Sequence, residues 1–181
     1  LVNGEIFIHS PVSIRHARLL DFVHRLVVGF VEERPISIQS GQGLGEVFRE
    51  TVAVRLASRN VFLPDLMFYR TERLHLVGDT FVEGPPDLVV EVLSERTAHR
   101  DVGDKFVEYE QQGVREYWVL DPNTLAHSFF ARAKDIFEEY ARGGPEVAST
   151  VLPGLVLKRS WLDPSALPKV ADCLDWVRAR G

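Results

Sequence analysis

One short apolar run limits the folds open to this chain more than any other feature. The run Leu88-Val89-Val90-Glu91-Val92-Leu93 is rich in β-branched residues, and such runs are typical of a strand buried on both faces of a sheet. Glu91 lies in its middle. Because an unpaired buried carboxylate costs several kcal/mol or more, we expect a metal ion, a cationic side chain or protonation to neutralise Glu91.

The sequence after this run predicts a βαβ unit. A segment with helical character follows and carries Lys105, and a second apolar strand, Tyr117-Trp118-Val119-Leu120, comes next. Strand, helix and strand fit within about 35 residues, and a right-handed crossover is expected for such a unit. We therefore expect the rest of the chain to cover this unit, which places the fold in the α/β class, at its border with α+β.

Length and composition fit an ordinary soluble protein. The 181 residues are 45% hydrophobic and 26% charged, so one domain over residues 1–181 is expected. Cys173 is the only cysteine, which excludes an intrachain disulfide and a cysteine-based zinc site. No apolar run approaches the length of a membrane span and no signal peptide is recognisable, so a cytoplasmic protein is expected. The net charge of −5 argues against a general nucleic-acid binder but is compatible with an enzyme on nucleic acid.

Turn signals and hydrophobic periodicity predict the remaining elements. Pro64 interrupts one predicted strand, and because proline cannot donate to a ladder, that strand is expected at an edge or a bulge. Residues 70–86 are predicted to be a connection that could contain one helical turn. The other predictions are a hairpin over Leu1–His9, a helix over Ile14–Glu32, strands over Val47–Leu56 and Val61–Tyr69, an antiparallel pair Ala126–Phe130 and Ile136–Tyr140, an interrupted strand Thr150–Lys158 and a helix over Val170–Arg178.

Three charged residues stand in apolar or sterically special surroundings, and together they could carry chemistry. Asp65 follows Pro64 in a strand, Glu91 lies in the buried strand, and Lys105 lies on the crossover helix. Two carboxylates at one place repel each other unless a cation lies between them. Oxygen ligands suit Mg²⁺ or Mn²⁺, and such an ion lowers the pKa of bound water and shields a scissile phosphate. A nearby lysine could position the attacking water.

Structural explanations compete with this reading. Asp65 could cap a bulge, Glu91 could be a buried ion-pair partner of Lys105 or of an arginine, and Lys105 could be a solvated helix residue. Asp87 lies four residues before Glu91 in the same strand, about 13 Å away at the usual rise. It therefore cannot share a metal with Glu91, and we expect it to cap or orient the strand.

Other polar residues near this unit have weaker signals. Ser94 and Thr97 are predicted N-caps of the crossover helix. Glu50 could reach the site from the neighbouring strand, but a surface position is favoured. His16 and Glu116 are ambiguous. Basic residues near the site are candidate phosphate contacts, although a solvated helix face explains each as well: Arg96, His99, Arg100 and Arg115.

Together, these motifs make the sequence resemble a known group, the Uma-two family of restriction-endonuclease-like proteins. The resemblance extends from Leu1-Val2-Asn3-Gly4-Glu5 to Leu152-Pro153-Gly154-Leu155, and its most specific part is the central motif that contains Glu91. The quoted motifs are Val61-Phe62-Leu63-Pro64-Asp65-Leu66, Gly84-Pro85-Pro86-Asp87 through Ser94, Arg100-Asp101 through Lys105 and Tyr109, Gly113-Val114-Arg115-Glu116-Tyr117-Trp118, and Asp121-Pro122.

The family belongs to the PD-(D/E)XK nuclease superfamily, and that membership implies a fold and a site. The fold would be restriction-endonuclease-like: a central mixed β-sheet flanked by helices, with an N-terminal hairpin and often a homodimer. Asp65 would match the metal-binding aspartate, Glu91 the acid of the second half-motif, and the Val92 backbone carbonyl would also meet the metal. Leu93 stands where the motif lysine is expected, so Lys105, moved onto the helix, would replace it.

These residues lead to two main hypotheses of function. The first is a nuclease that uses Mg²⁺ or Mn²⁺ to hydrolyse phosphodiester bonds in DNA, with Asp65, Glu91 and Lys105 as catalytic residues. The second is a catalytically silent module that uses the same fold for binding or dimerisation. A glycosidase with Asp65 and Glu91 as acid and base is disfavoured, because the three tryptophans lie elsewhere in the sequence.

Overall fold

A six-stranded mixed sheet organises the protein. The structure, a computed structural model, describes residues 12–33, 43–57, 60–94 and 103–180. The strand order of the large sheet is β1-β4-β6-β7-β8-β9, in which β6 and β7 are parallel and the other neighbours are antiparallel. The strands are β1 (Gly45–Arg49), β2 (Ala53–Ala57), β3 (Asn60–Phe62), β4 (Leu66–Arg70), β5 (Phe81–Glu83), β6 (Leu88–Val92), β7 (Glu116–Leu120), β8 (Ser128–Ala133), β9 (Ile136–Glu139), β10 (Glu146–Ala148) and β11 (Val156–Lys158).

Helices cover both faces of this sheet. The described α-helices are α1 (Ile14–Glu33), α2 (Asp104–Gln112) and α3 (Val170–Arg178), and short 3-10 turns span Thr71–Leu76 and Arg159–Leu162. Alternate residues of β6 and β7 enter two separate cores. The first core joins the sheet to α1 and α3, and the second joins it to α2. Two small sheets, β3-β2-β5 and β10-β11, complete the described architecture.

The predicted βαβ unit is confirmed. All five residues of β6 and all five of β7 are buried, and the parallel register pairs Leu88 with Glu116 and Val92 with Leu120. Helix α2 lies between them and ends at Gly113, whose φ of 90° is the left-handed conformation that favours glycine at a helix end. Its N-cap is Gly103 rather than Ser94. The crossover therefore places Lys105 in the first turn of α2.

Two predicted strands are wrong, because each is split into two strands in the structure. Within Val47–Leu56 the chain turns at Glu50, and the halves become β1 of the large sheet and β2 of a small one. The alternating pattern runs through this turn without Gly or Pro, so the sequence carries no signal for it. Within Val61–Tyr69 the break falls at Pro64, which leaves β3 and β4 in different sheets.

Other elements differ less from the predictions. The helices α1 and α3 and the pair β8–β9 are confirmed. The connection 70–86 also contains β5, and Thr150–Lys158 is a strand only over β11, which pairs with the unpredicted β10. No helix of the described part is long and apolar enough to cross a membrane. The predicted hairpin Leu1–His9, the Thr97 cap, and Arg96, His99 and Arg100 lie outside the described residues.

Candidate active site at the carboxyl end of β6

Strand pairing brings Asp65 beside Glu91. Strands β4 and β6 are antiparallel with Leu66 across from Val90, so one further step of the same register sets Asp65 across from Glu91. Pro64 ends the preceding segment because it has no N–H for the ladder, and Asp65 follows at the point where β4 begins. The predicted connection 70–86 therefore joins two strands that are neighbours in the sheet.

The Asp65 carboxylate is held at the end of β6 by the backbone. The Val92 N–H donates to Asp65 Oδ2 over 2.7 Å, which fixes the carboxylate next to the residue that follows Glu91. His16, a buried residue of α1, lies with its Nε2 3.9 Å from Asp65 Oδ1. The Asp65 side chain is 18% exposed, so solvent reaches this carboxylate while the backbone orients it.

Glu91 meets two donors from helix α2. Its side chain is 2% exposed, and Lys105 Nζ lies 2.9 Å from Glu91 Oε1. The Tyr109 hydroxyl donates to the same oxygen over 2.9 Å. Lys105 and Tyr109 are four residues apart, so they lie on one face of α2 above the strand. Of the three neutralising partners expected for Glu91, the cationic side chain is therefore present, and Lys105 is not a solvated helix residue.

The donor atoms at this end of β6 fit a hard divalent cation. The Asp65 carboxylate is bound there by the Val92 N–H, the Glu91 side chain belongs to the preceding residue of β6, and oxygen atoms are the ligands that Mg²⁺ and Mn²⁺ prefer. Across residues 12–33, 43–57, 60–94 and 103–180, no group of three or more His, Cys, Asp or Glu side chains comes together. An ion at this place would therefore rely on the two carboxylates, a backbone carbonyl and water, which is the usual arrangement for Mg²⁺.

Asp87 lies at the opposite end of β6 and orients the strand, as expected. Its carboxylate is fully buried. It accepts the Arg70 backbone N–H over 3.0 Å and pairs with Arg73 at 3.2 Å and Arg115 at 3.4 Å. Arg115 thus contacts Asp87 and lies about four residues, or about 13 Å, along the strand direction from Glu91. The expectation that Arg115 lies near the Glu91 site is wrong.

Glu116 is a structural acceptor that sequence reasoning left ambiguous. This fully buried carboxylate accepts hydrogen bonds on both oxygens, and burial followed by the nearby Glu116 carboxylate raises the pKa of Tyr140, so its hydroxyl stays protonated and donates. The position at the start of a buried strand was the available signal, but all donors except Trp118 come from residues 140–151, far along the chain. They are Trp118 Nε1, the Tyr140 hydroxyl, Ser149 Oγ, Thr150 N and Oγ1, and Val151 N, at 2.5–2.9 Å.

The structure also gives the positions of Glu50 and Tyr109. Glu50 lies at the turn after β1, is 42% exposed and pairs with Arg49 at 3.3 Å, which agrees with the expected surface position. Sequence reasoning assigned no separate role to Tyr109, although its spacing of four residues from Lys105 on a helix is the signal that could have identified it.

Comparisons with known proteins agree with this fold. The Uma2 family model, described as "Putative restriction endonuclease", matches residues 1–160. The fold is similar to that of a crystal structure from Anabaena variabilis ATCC 29413, described as "a putative nuclease belonging to DUF820". The TM-score is 0.61 at 15% identity, and the match covers 97% of this chain and 89% of that one. At this identity the likeness shows the fold alone. No curated protein matches the sequence significantly.

Proposed function

The chain belongs to the Uma-two family of restriction-endonuclease-like proteins, and from this premise we propose that it is a metal-dependent nuclease that hydrolyses phosphodiester bonds in DNA. Asp65 and Glu91 would hold Mg²⁺ or Mn²⁺ together with the Val92 carbonyl, and Lys105 would assist the attacking water. The family description, "Putative restriction endonuclease", supports the reaction class, and the metal, the DNA substrate and the residue roles are our extension of it.

One observation carries the proposal. The carboxylates of Asp65 and Glu91 are fixed on adjacent strands by the Val92 N–H at 2.7 Å and by Lys105 at 2.9 Å. A lysine displaced onto a helix can replace the motif lysine only if it reaches the strand carboxylate, and Lys105 does so from the first turn of α2. The absence of a lysine at Leu93 therefore does not count against the site.

Each side chain has a distinct task in this proposal. A bound divalent ion would lower the pKa of its water and offset the charge of the scissile phosphate. Glu91 is oriented by Tyr109 and Lys105 through Oε1, which holds its carboxylate in one rotamer. The Lys105 ammonium would donate hydrogen bonds to the water or to the phosphoryl oxygens as their charge develops. Asp65, which is partly exposed, is the carboxylate that solvent and substrate reach first.

Cleavage of supercoiled plasmid DNA with millimolar Mn²⁺ tests the proposal. We expect nicking by the wild type that EDTA abolishes and that falls about a hundredfold or more in Asp65→Asn and Glu91→Gln, the order reported for losing one group aimed at the transition state. Glu138→Gln, at an exposed position of β9, is the matched control. Unchanged nicking in both site variants would remove these carboxylates from the reaction. Cleavage of an RNA of the same sequence, measured in parallel, shows whether the enzyme acts on DNA or on RNA.

A catalytically silent module remains the second candidate, and one observation favours it. Glu91 already has an ammonium and a phenol at one oxygen, which is also how a structural ion pair would look. Thermal melts with and without Mn²⁺ discriminate between the two, because a ligand that binds the folded state raises the melting temperature. A shift that Glu91→Gln removes supports the nuclease, and no shift at millimolar Mn²⁺ supports the silent module. The homodimer that the family resemblance implies stays a prediction.

A further inference from the structure

A cleft at the opposite end of the sheet from Glu91 is lined by cationic side chains. Its volume is about 430 Å³, within the usual range of small-molecule sites. We propose that this cleft binds the phosphate groups of an anionic ligand, and that it is separate from the candidate active site. The lining consists of Arg70, Arg115, Ala131, Arg132, Lys134, Thr150 and Val151.

The sheet itself assembles this cationic cleft. Arg70 is the last residue of β4, and Arg115 directly precedes β7. Arg132 of β8 lies next to Arg115, since the Arg132 backbone N–H donates to the Arg115 carbonyl over 2.8 Å. Lys134 follows in the turn between β8 and β9, where its φ is 58°. Strands β4, β7 and β8 thus present their basic residues at one end of the sheet.

The charge balance of the cationic cleft is opposite to that of the chain. Four of its seven lining residues are basic and none is acidic, although the whole chain carries a net charge of −5. The carboxylates that contact its lining residues are already engaged: Glu116 is fully buried and accepts hydrogen bonds from Thr150 and Val151 at 2.9 Å. Asp87 is fully buried between Arg73 and Arg115, and Asp135, which pairs with Arg132, is 96% exposed and faces solvent.

Like charges gathered in one concavity repel, and an anion relieves that repulsion. Arg115 is 48% exposed and pairs with Asp87 through Nε at 3.4 Å, and a guanidinium has five N–H donors in a planar fork. Arg70 donates from Nη2 to the Val151 carbonyl over 3.3 Å, which anchors its guanidinium against the wall of the cleft. Arginine forks match phosphate oxygens bidentately, and lysine adds a point charge, so phosphate is the anion that this set favours.

The position of the cationic cleft makes it a second site rather than part of the first. Arg115 precedes β7, whereas Glu91 is paired with Val119 near the far end of that strand. The separation of about four residues corresponds to about 13 Å, too far for one phosphate to contact both groups. The phosphate could come from a free nucleotide-like ligand or from a nucleic-acid backbone, and both sources present the same chemistry to the cleft.

Binding of two probes in EDTA tests this inference independently of metal-dependent cleavage. Inorganic pyrophosphate is titrated calorimetrically, and a short fluorescent single-stranded DNA oligonucleotide is followed by anisotropy, both at low ionic strength. Lys134→Gly removes one charge at a position whose left-handed φ suits glycine, so a folding defect cannot explain its effect. Arg115→Gln removes a second charge. Arg25→Gln, at an exposed helix position paired with Asp21, is the matched control.

We expect each cleft variant to weaken binding about tenfold, the effect of losing one charge-assisted hydrogen bond, while Arg25→Gln leaves binding unchanged. If the cleft variants bind pyrophosphate more weakly, a free phosphate ligand is enough to occupy the cleft. If the variants weaken binding of the oligonucleotide alone, the ligand is a nucleic-acid backbone. The inference is overturned if neither probe binds, or if both cleft variants bind both probes as tightly as Arg25→Gln does.

Discussion

Glu91 is a carboxylate inside a sheet, and its stability depends on the groups that α2 brings to it. Lys105 supplies the compensating charge at 2.9 Å. Breaking such a buried pair from one side leaves an uncompensated charge, whereas replacing both partners can be nearly neutral.

The first prediction is a double-mutant cycle on this pair. Lys105→Met should lower the free energy of unfolding by about 2–4 kcal/mol, and adding Glu91→Gln should recover at least half of that loss, because the charge left behind is removed as well. Urea unfolding without divalent metal measures the free energy of unfolding of the wild type, the two single variants and the double variant. Strictly additive effects of the two substitutions would show that the contact contributes nothing to stability.

Glu116 leads to the second prediction. Both oxygens of Glu116 accept hydrogen bonds from N–H or O–H groups. Glu116→Gln replaces one of these oxygens with an amide NH₂, which would face donors whichever way the amide is oriented. We expect a loss of about 2–4 kcal/mol in the free energy of unfolding, measured by urea denaturation. Glu138→Gln, which is exposed, is the control; equal losses in the two variants would contradict the assigned role.

His127 leads to the third prediction, on pH dependence. Burial, and then the nearby Arg159 guanidinium, lower the pKa of His127 from 6.5 to about 4. Its buried Nδ1 also has no hydrogen-bond partner in the described part of the chain. Between these two pKa values the unfolded state binds a proton that the folded state does not. The stability that His127 contributes is therefore complete above about pH 6.5 and is lost as the pH falls toward about 4.

The measurement compares wild type with His127→Gln by urea denaturation near neutral pH and near pH 4.5. On acidification, the free energy of unfolding of the wild type should fall further than that of His127→Gln, by up to about 3 kcal/mol. Using the difference cancels the titration of the carboxylates that both proteins share. A difference that stays constant between the two pH values would show that His127 is not kept neutral by its surroundings.

At the scale of elements, strand β1 depends on one glycine. Gly45 has a φ of +149°, and a Cβ there would overlap the Tyr69 carbonyl oxygen and lie 2.8 Å from the Phe68 ring. Gly45 pairs with Arg70 at the start of β1, so a side chain would push this edge strand away from β4. The contact is with backbone, which cannot move aside as a flexible side chain can.

The fourth prediction follows: Gly45→Ala should lower the free energy of unfolding by at least about 2 kcal/mol. Gly43→Ala is the matched control, because a Cβ at Gly43 would meet nothing within 4 Å and should change stability by no more than about 0.5 kcal/mol. Thermal or urea unfolding of the two variants checks the difference. Similar stabilities would mean that β1 adapts to a side chain at this position.

Elements with a clear periodicity were predictable from the sequence, and those defined by a change of partner were not. The stripe of α1 and the apolar runs of β6 and β7 determine burial locally, so their bounds follow from the residues alone. The split between β1 and β2 depends on which sheet each half joins, and the alternation of Val47–Leu56 is the same in either case. Short strands such as β5 and β10 have few residues to show a pattern, so they depend on pairing with distant strands.

At the scale of the whole molecule, the sheet has two chemically different ends. The carboxylates of Asp65 and Glu91 lie at the carboxyl end of β6, while the cationic cleft lies at the other end. The sequence indicated Asp65, Glu91 and Lys105 because each is a charge in an apolar or sterically restricted segment. It could not indicate the cleft, because Arg70, Arg115 and Arg132 come together only through strand order.

The proposed activity depends most on a divalent cation that Asp65 and Glu91 hold together. Electron paramagnetic resonance of Mn²⁺ titrated into the protein counts bound ions directly, with Asp65→Asn, Glu91→Gln and the exposed control Glu138→Gln measured in parallel. We predict one ion per chain in the wild type and the control, with affinity reduced at least about tenfold by either site substitution. Mn²⁺ binding that is the same in all four proteins would contradict this shared metal site.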